Sequence, residues 1–192
     1  MDRAMRSEQK EQTRQRMRQA AAEGFRSHGY GIGVDGLAKR AGVTSGAFYA
    51  NFSSKADAFR EAVAFGMDEL LGGIRYFQQE HGLAWWPEFV AFYLGEKLTC
   101  DLAQSCSLQT LTPELARADD AAKDVFREKL QSIAEAVVDG PDSPAKPATQ
   151  EAALAALASL IGAVTIARAT GNEDLAKSVA SAMRERLLGN AA

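Results

Sequence analysis

The chain has 192 residues, 46% of them hydrophobic and 24% charged, which suits one globular domain or two small ones sharing a core and is too apolar for disorder. Its formal charge of −3 is unevenly placed: residues 1–60 carry eleven Lys/Arg against six Asp/Glu, the rest eleven against nineteen. A basic head on an acidic body fits an anionic polymer docking at one end and argues against a uniformly acidic enzyme surface.

In chain order, Met17, Ala21 and Phe25 recur at helical spacing in a segment rich in Arg, Gln and Glu that Gly29 stops. The first twenty residues have no apolar run of the signal-peptide kind, so a cytoplasmic protein is expected. Leu37, Ala38 and Ala41 mark a short second helix ended by Gly42, and Phe48 and Phe52 a third that Thr44 can cap. Ser54 with Asp57 resembles a capping box and opens a longer helix facing inward with Phe59, Val63, Met67 and Leu70. Helices are expected from about Trp86 to Leu98, near Ser105–Ala118 and near Ala121–Val138. Pro141, Pro144 and Pro147 make residues 139–150 a loop. Two last helices follow, one Ala-rich with Leu154, Leu157, Ile161 and Val164, the other with Leu175, Val179, Met183 and Leu187. Ala152–Ala167 is uncharged but shorter than a bilayer requires, and reads as a buried helix. No alternating strand pattern or internal repeat emerges, so the fold is expected to be all-α.

Residues 33–52, GVDGLAKRAGVTSGAFYANF, have the anatomy of a helix-turn-helix. Ala38 is small enough for two helices to cross, and Gly42 tolerates the positive φ of a tight turn. A second helix from Thr44 to Phe52 presents Ser45, Gly46, Tyr49 and Asn51, small or hydrogen-bonding residues without an acid, at a length that suits a major groove about 12 Å wide. Gly46 and Ala47 permit close backbone approach, Asn51 can pair with an adenine edge, and Lys55 opens the next helix with a charge for phosphate. The spacing alone equally describes a helical hairpin in any bundle. The run Arg3, Arg6, Lys10, Arg14, Arg16, Arg18 is either an arm reaching DNA or a solvated face interrupted by Glu8 and Glu11; Arg14 and Arg18 are taken as candidate contacts, Arg3 and Arg6 as solvated.

The residues TRQRMRQAAAEGFRSHGY and VDGLAKRAGVTSGAFYANFSSKADAFREAV together resemble the N-terminal domain of TetR-family transcriptional regulators, over about residues 13–63. The resemblance implies a three-helix helix-turn-helix head, residues 1–55, followed by a helical-bundle dimerisation and ligand-binding body, residues 56–192. It implies recognition-helix positions at Thr44, Ser45, Gly46, Ala47, Tyr49 and Asn51, with phosphate contacts at Tyr49 and Lys55. Two departures stand out: Ile32–Gly33 where the family often opens its second helix with Ser or Thr, and Asn51 where a His is frequent. The first bears on one phosphate contact, and the second on which bases are read, not on whether DNA is bound.

In the body, seven of fifteen aromatics lie between Tyr76 and Tyr93. Trp85, Trp86, Phe89, Phe92 and Tyr93, with Cys106, either line a pocket for an apolar or planar effector or are simply core. Adjacent Trp85 and Trp86 are not expected to share one core, which places one of them at a pocket mouth or interface. Cys100 and Cys106, the only cysteines, form no disulfide framework and no zinc spacing, and Asp101 argues against a reactive Cys100. His28 and His81 lack metal or catalytic spacing, and no cofactor or metal is expected. The resemblance implies a dimer interface from the last two helices, with Leu154, Ala158, Ile161, Thr165, Val179 and Met183 as candidates; a monomeric bundle burying the same faces is the alternative.

The expected function is a sequence-specific DNA-binding regulator, a homodimeric repressor released from a palindromic operator by a small-molecule effector. The alternatives are a regulator without an effector and, more distantly, an all-α enzyme, against which stand the missing nucleophile–base set and phosphate loop.

Overall fold

The structure, a computed structural model, describes residues 2–189, apart from the side chains of residues 2–4 and 6, so Arg3 and Arg6 lie outside the described side chains. It is all-α, with no strand among the described residues. The helices are α1 Asp2–His28, α2 Val34–Arg40, α3 Ser45–Tyr49, α4 Lys55–His81, α5 Trp85–Leu94, α6 Glu96–Thr99, α7 Ser107–Thr110, α8 Thr112–Leu115, α9 Asp120–Asp139, α10 Gln150–Ala169 and α11 Glu173–Leu188. They gather into two compact units, Met1–Met67 with Leu102–Phe126, and Asp68–Asp101 with Arg127–Ala192.

The first unit packs α1, α2, α3 and the start of α4 around Met17, Phe25, Leu37, Phe48, Phe52, Phe59 and Met67, each at most 2% exposed. Phe25 and Phe59 meet edge to face at 5.1 Å, a geometry that adds ring electrostatics to the burial. Gly29, at φ +64°, ends α1 in the left-handed region. The segment 102–126 joins this core. Arg26, buried at the end of α1, donates from Nη1 to Ser107 Oγ at 3.4 Å. A Cβ on Gly66 would fall 1.8 Å from Ser107 Oγ and 2.4 Å from Ser107 Cβ, so only glycine lets α4 and α7 approach this closely. The continuous helix expected over 105–118 is two short ones, α7 and α8, because Pro113 stands in the first turn of α8 and supplies no amide to continue α7.

In the second unit, α5 stops at Gly95 (φ −109°, ψ −84°) and α6 begins anew, where the sequence pattern suggested one helix from Trp86 to Leu98. The two tryptophans depart from expectation as well: Trp85 and Trp86 are both fully buried. Trp85 Nε1 donates to Pro141 O at 2.9 Å, while the Trp86 ring stacks on Phe89, so the proline loop forms a second wall that a single helix pattern cannot reveal. Within that loop Lys146 donates from Nζ to Val138 O (2.7 Å) and Gly140 O (2.8 Å), satisfying carbonyls at the end of α9.

Helix α10 has two apolar faces. Ala153, Ala156, Leu157, Leu160, Ala163, Val164 and Ala167 are buried. Leu154 and Ile161, candidates for a dimer interface, lie on the opposite side with Ala158 and Thr165, exposed or half-buried. By length and composition α10 is apolar enough to cross a membrane; its buried residues recur at the spacing of a helix packed on one side against protein.

Candidate nucleic-acid interface

The bend between α2 and α3 is fixed by a Schellman motif. Gly42, at φ +68°, donates its N–H to Lys39 O (3.1 Å), and Val43 donates to Ala38 O (3.0 Å). Thr44 then caps α3, its Oγ1 accepting from Ala47 N at 3.2 Å. Helix α3 is five residues long with further turns through Phe52, whose N–H reaches Phe48 O at 2.9 Å. Phe48 and Phe52 anchor it, ring centroids 5.0 Å apart and both buried. The opposite side is left to solvent: Tyr49 is 57% exposed and Gly46 is open, with only Thr44 Oγ1 within 4 Å of where a Cβ would stand.

Other candidates are engaged. Ser45 Oγ donates to Asp35 Oδ1 at 2.6 Å, tying the first turn of α3 to the first turn of α2. Asn51 Nδ2 donates to Ala47 O at 2.9 Å, so an adenine edge would have to displace that bond. Arg18 is half-buried, its Nε 2.8 Å from Glu61 Oε2, and the more exposed Arg14 lies 3.8 Å from the other oxygen of the same carboxylate. Arg18 therefore braces α1 against α4. Lys55 holds its Nζ 4.5 Å above the ring of Tyr30, a cation–π contact that steers the ammonium at the start of α4. Asp35 and Tyr30 are the two positioning residues that the sequence pattern does not single out. Their roles arise only once the helix crossing brings residue 35 to residue 45 and residue 30 to residue 55.

Helix α4 opens with a reciprocal cap. Asp57 N donates to Ser54 Oγ (3.0 Å), and Asp57 Oδ2 accepts from Ser53 N (2.8 Å) and Ser53 Oγ (2.9 Å). Partial burial works to raise the Asp57 carboxyl, but these two hydrogen bonds and the nearby Arg60 and Arg14 charges hold it below the ordinary aspartate value.

Among the body candidates, Trp85, Trp86, Phe89 and Tyr93 are buried together, with Phe77 against Phe89 (5.7 Å) and the half-buried Phe92 (5.2 Å). Cys106 is buried but falls in the other compact unit. The charged neighbour of Cys100 is Arg168, which reaches its Sγ at 3.2 Å and donates to its carbonyl at 2.8 Å; adjacency to Asp101 does not describe that thiol's surroundings. Leu154, Ala158 and Thr165 are exposed, and Ile161, Val179 and Met183 half-buried. No group of three or more His, Cys, Asp or Glu suited to a metal occurs among the described residues.

The family described as bacterial regulatory proteins, tetR family, matches residues 18–62, which span the end of α1, the helix-turn-helix and the start of α4. A comparison with curated proteins finds no match. Similar solved structures include a TetR-family transcriptional regulator from Agrobacterium tumefaciens, with a TM-score of 0.72 and 16% identity over 93% of this chain and 99% of that one. The fatty acid degradation regulator FadR from Bacillus halodurans matches with a TM-score of 0.62 and 20% identity, covering 93% and 95%. RolR in complex with resorcinol matches with a TM-score of 0.54 and 17% identity, covering 95% and 90%. At these identities the likeness is one of fold.

Proposed function

We propose that the chain is a DNA-binding transcriptional regulator that works as a homodimeric repressor of a palindromic operator and is released by a small-molecule effector, a reading supported by the tetR-family match over residues 18–62 and the likeness of fold. The observation that carries the reading is the solvent face of α3. A capped, acid-free helix exposes Tyr49 and an open Gly46 next to a Lys-bearing helix start, an arrangement that a mere packing hairpin has no need to keep. In this reading residues 1–55 dock on DNA, and residues 56–192 dimerise and bind the effector. Tyr49, Gly46 and Ala47 meet the groove, Lys55 and Arg14 meet phosphate, and Thr44, Ser45 and Arg18 hold the frame. Asn51 reads a base only if its bond to Ala47 O opens.

The second apolar face of α10 supports dimerisation. Leu154, Ala158, Ile161 and Thr165 follow one another at helical spacing on the side turned from the core, and no residue of α11 is fully buried. Two copies joined there by a two-fold axis would mirror an operator palindrome, with recognition helices separated by about 34 Å or more. The effector half of the proposal draws on the aromatic cluster around Trp86. The indole Nε1 is fully buried with no hydrogen-bond partner among the described residues. Such a donor is costly to leave unpaired and suits an effector that brings an acceptor atom.

Fluorescence anisotropy tests the reading. A labelled duplex from the region upstream of the protein's own gene should bind far more tightly than a scrambled one, and affinity should fall steeply with salt as Lys and Arg release counterions. A dimer mass in solution should accompany it. Equal binding of the two duplexes sends the search for the operator to a pooled-sequence selection. No DNA binding even at low salt overturns the proposal.

A further inference from the structure

Beside the head, inside the first compact unit, lies a pocket of about 320 Å³ with a floor of Phe59 and Ala122, each 1% exposed, and walls that include Tyr30 and Ala56. That volume stands at the small end of the range for small-molecule sites. Three charged residues also line it, Glu114, Asp119 and Arg117. Glu114 Oε1 accepts from Tyr30 N at 3.3 Å, and its Oε2 has no partner among the described residues. Asp119 caps the first turn of α9, its Oδ1 accepting from Ala122 N at 2.9 Å.

These contacts decide the sign of the charge the pocket favours. An anion would seek the amides at the start of α9, but the Asp119 carboxylate already occupies them. It would also face Glu114; the one cation among the lining residues is the solvent-exposed Arg117, and the Lys55 ammonium beyond is held against the ring of Tyr30. A cation, in contrast, gains the free oxygen of Glu114 above an apolar floor. We propose that this pocket is a binding site for a small organic cation with a flat apolar body: the ammonium pairs with Glu114, and the ring lies over Phe59 and Ala122.

The pocket borders the DNA-contacting machinery through one residue. Tyr30 lines it, stacks on Phe25 at 6.0 Å with its ring nearly parallel, and carries Lys55 Nζ 4.5 Å from its centroid. A ligand seated against Tyr30 shifts the ring that positions Lys55, so occupancy and DNA affinity are linked, each altering the other by the same factor. This linkage rests on the DNA-binding reading; the binding of the cation does not.

Isothermal titration calorimetry on the full chain without DNA, using 2-phenylethylammonium and its anionic counterpart phenylacetate, tests the site. The cation should bind and phenylacetate should not. Glu114→Gln keeps a carbonyl oxygen for the Tyr30 N–H and should weaken the cation by about tenfold or more, the loss expected for a charge-assisted hydrogen bond. Ala118→Leu, which narrows the pocket, should abolish binding while thermal unfolding stays cooperative. Equal affinity for the two ions, no binding of the cation, or unchanged affinity in Glu114→Gln overturns the proposal. With a selected duplex, 2-phenylethylammonium should change DNA affinity in the parent but not in Glu114→Gln, and no change in the parent overturns the linkage. If the parent binds no DNA, the regulator reading falls while the calorimetry still decides the pocket.

Discussion

Within the head, every bend of the chain has its own short-range signal. Gly42 turns α2 into α3, Thr44 caps α3, and Ser54 with Asp57 caps α4, each bond spanning no more than five residues. In the body, by contrast, the contacts that set side-chain environments join distant parts of the chain: Trp85 to Pro141, Gln78 to Ala136 at 2.7 Å, Arg168 to Lys97 and Cys100. The difference teaches why the head can leave Tyr49 and Gly46 in solvent. Its geometry is held by local caps and one side of each helix, so the other side stays in solvent, whereas the body turns Trp85, Trp86, Phe89 and Tyr93 inward.

The largest test of that contrast pairs one aromatic from each region. Trp85→Ala should destabilise the chain by about 3–5 kcal/mol, since it empties a fully buried site and orphans the Pro141 carbonyl. Tyr49→Ala should change stability by less than about 0.5 kcal/mol, as expected for an exposed side chain, yet weaken DNA binding clearly at matched salt. Urea unfolding at one fixed protein concentration, beside anisotropy, reads both. Comparable stability losses would erase the distinction.

Gly66→Ala comes next, at about 1–3 kcal/mol, because its methyl would collide with Ser107 in a tightly packed helix contact. Gly72→Ala, where nothing lies within 4 Å, is the control and should be neutral or slightly stabilising in the same urea titration. Removing a cap, by Thr44→Ala or Ser54→Ala, should cost about 1 kcal/mol each. The Asp57 half of the α4 cap adds a pH signature. Its carboxyl is held below the ordinary value in the folded chain, so the stability it contributes is fully present above the unfolded aspartate pKa of about 4 and is lost as pH falls through the lower folded value. Asp57→Asn should flatten that acid limb of the stability curve, and an unaltered limb would assign the acid sensitivity elsewhere.

The smallest effect belongs to the body's loop. Ala145 sits at φ +59°, a left-handed conformation that an alanine adopts only under strain. Ala145→Gly should therefore raise stability by about 1 kcal/mol or less, read as a higher urea midpoint.

The sequence alone determined the parts whose physics is local. Helical spacing of apolar residues, a glycine where φ must be positive, and a hydroxyl or carboxylate three residues ahead of an amide placed α1 to α4 and the fingerprint of the head. It also determined that the fold is all-α, since a period of 3.6 residues is written along nearly the whole chain. Tertiary structure decided what periodicity cannot carry. An apolar stripe does not say which of its residues turn inward, so Leu154, Leu157, Ile161 and Val164 read as one apolar set until packing buries Leu157 and Val164 and leaves Leu154 exposed and Ile161 half-buried. A tryptophan pair reads as split between core and surface until a loop fifty-six residues away covers the second side. The availability of Arg18, Ser45 and Asn51 depended on partners met only on folding, because a polar side chain settles its hydrogen bonds with whatever the packed backbone brings within reach.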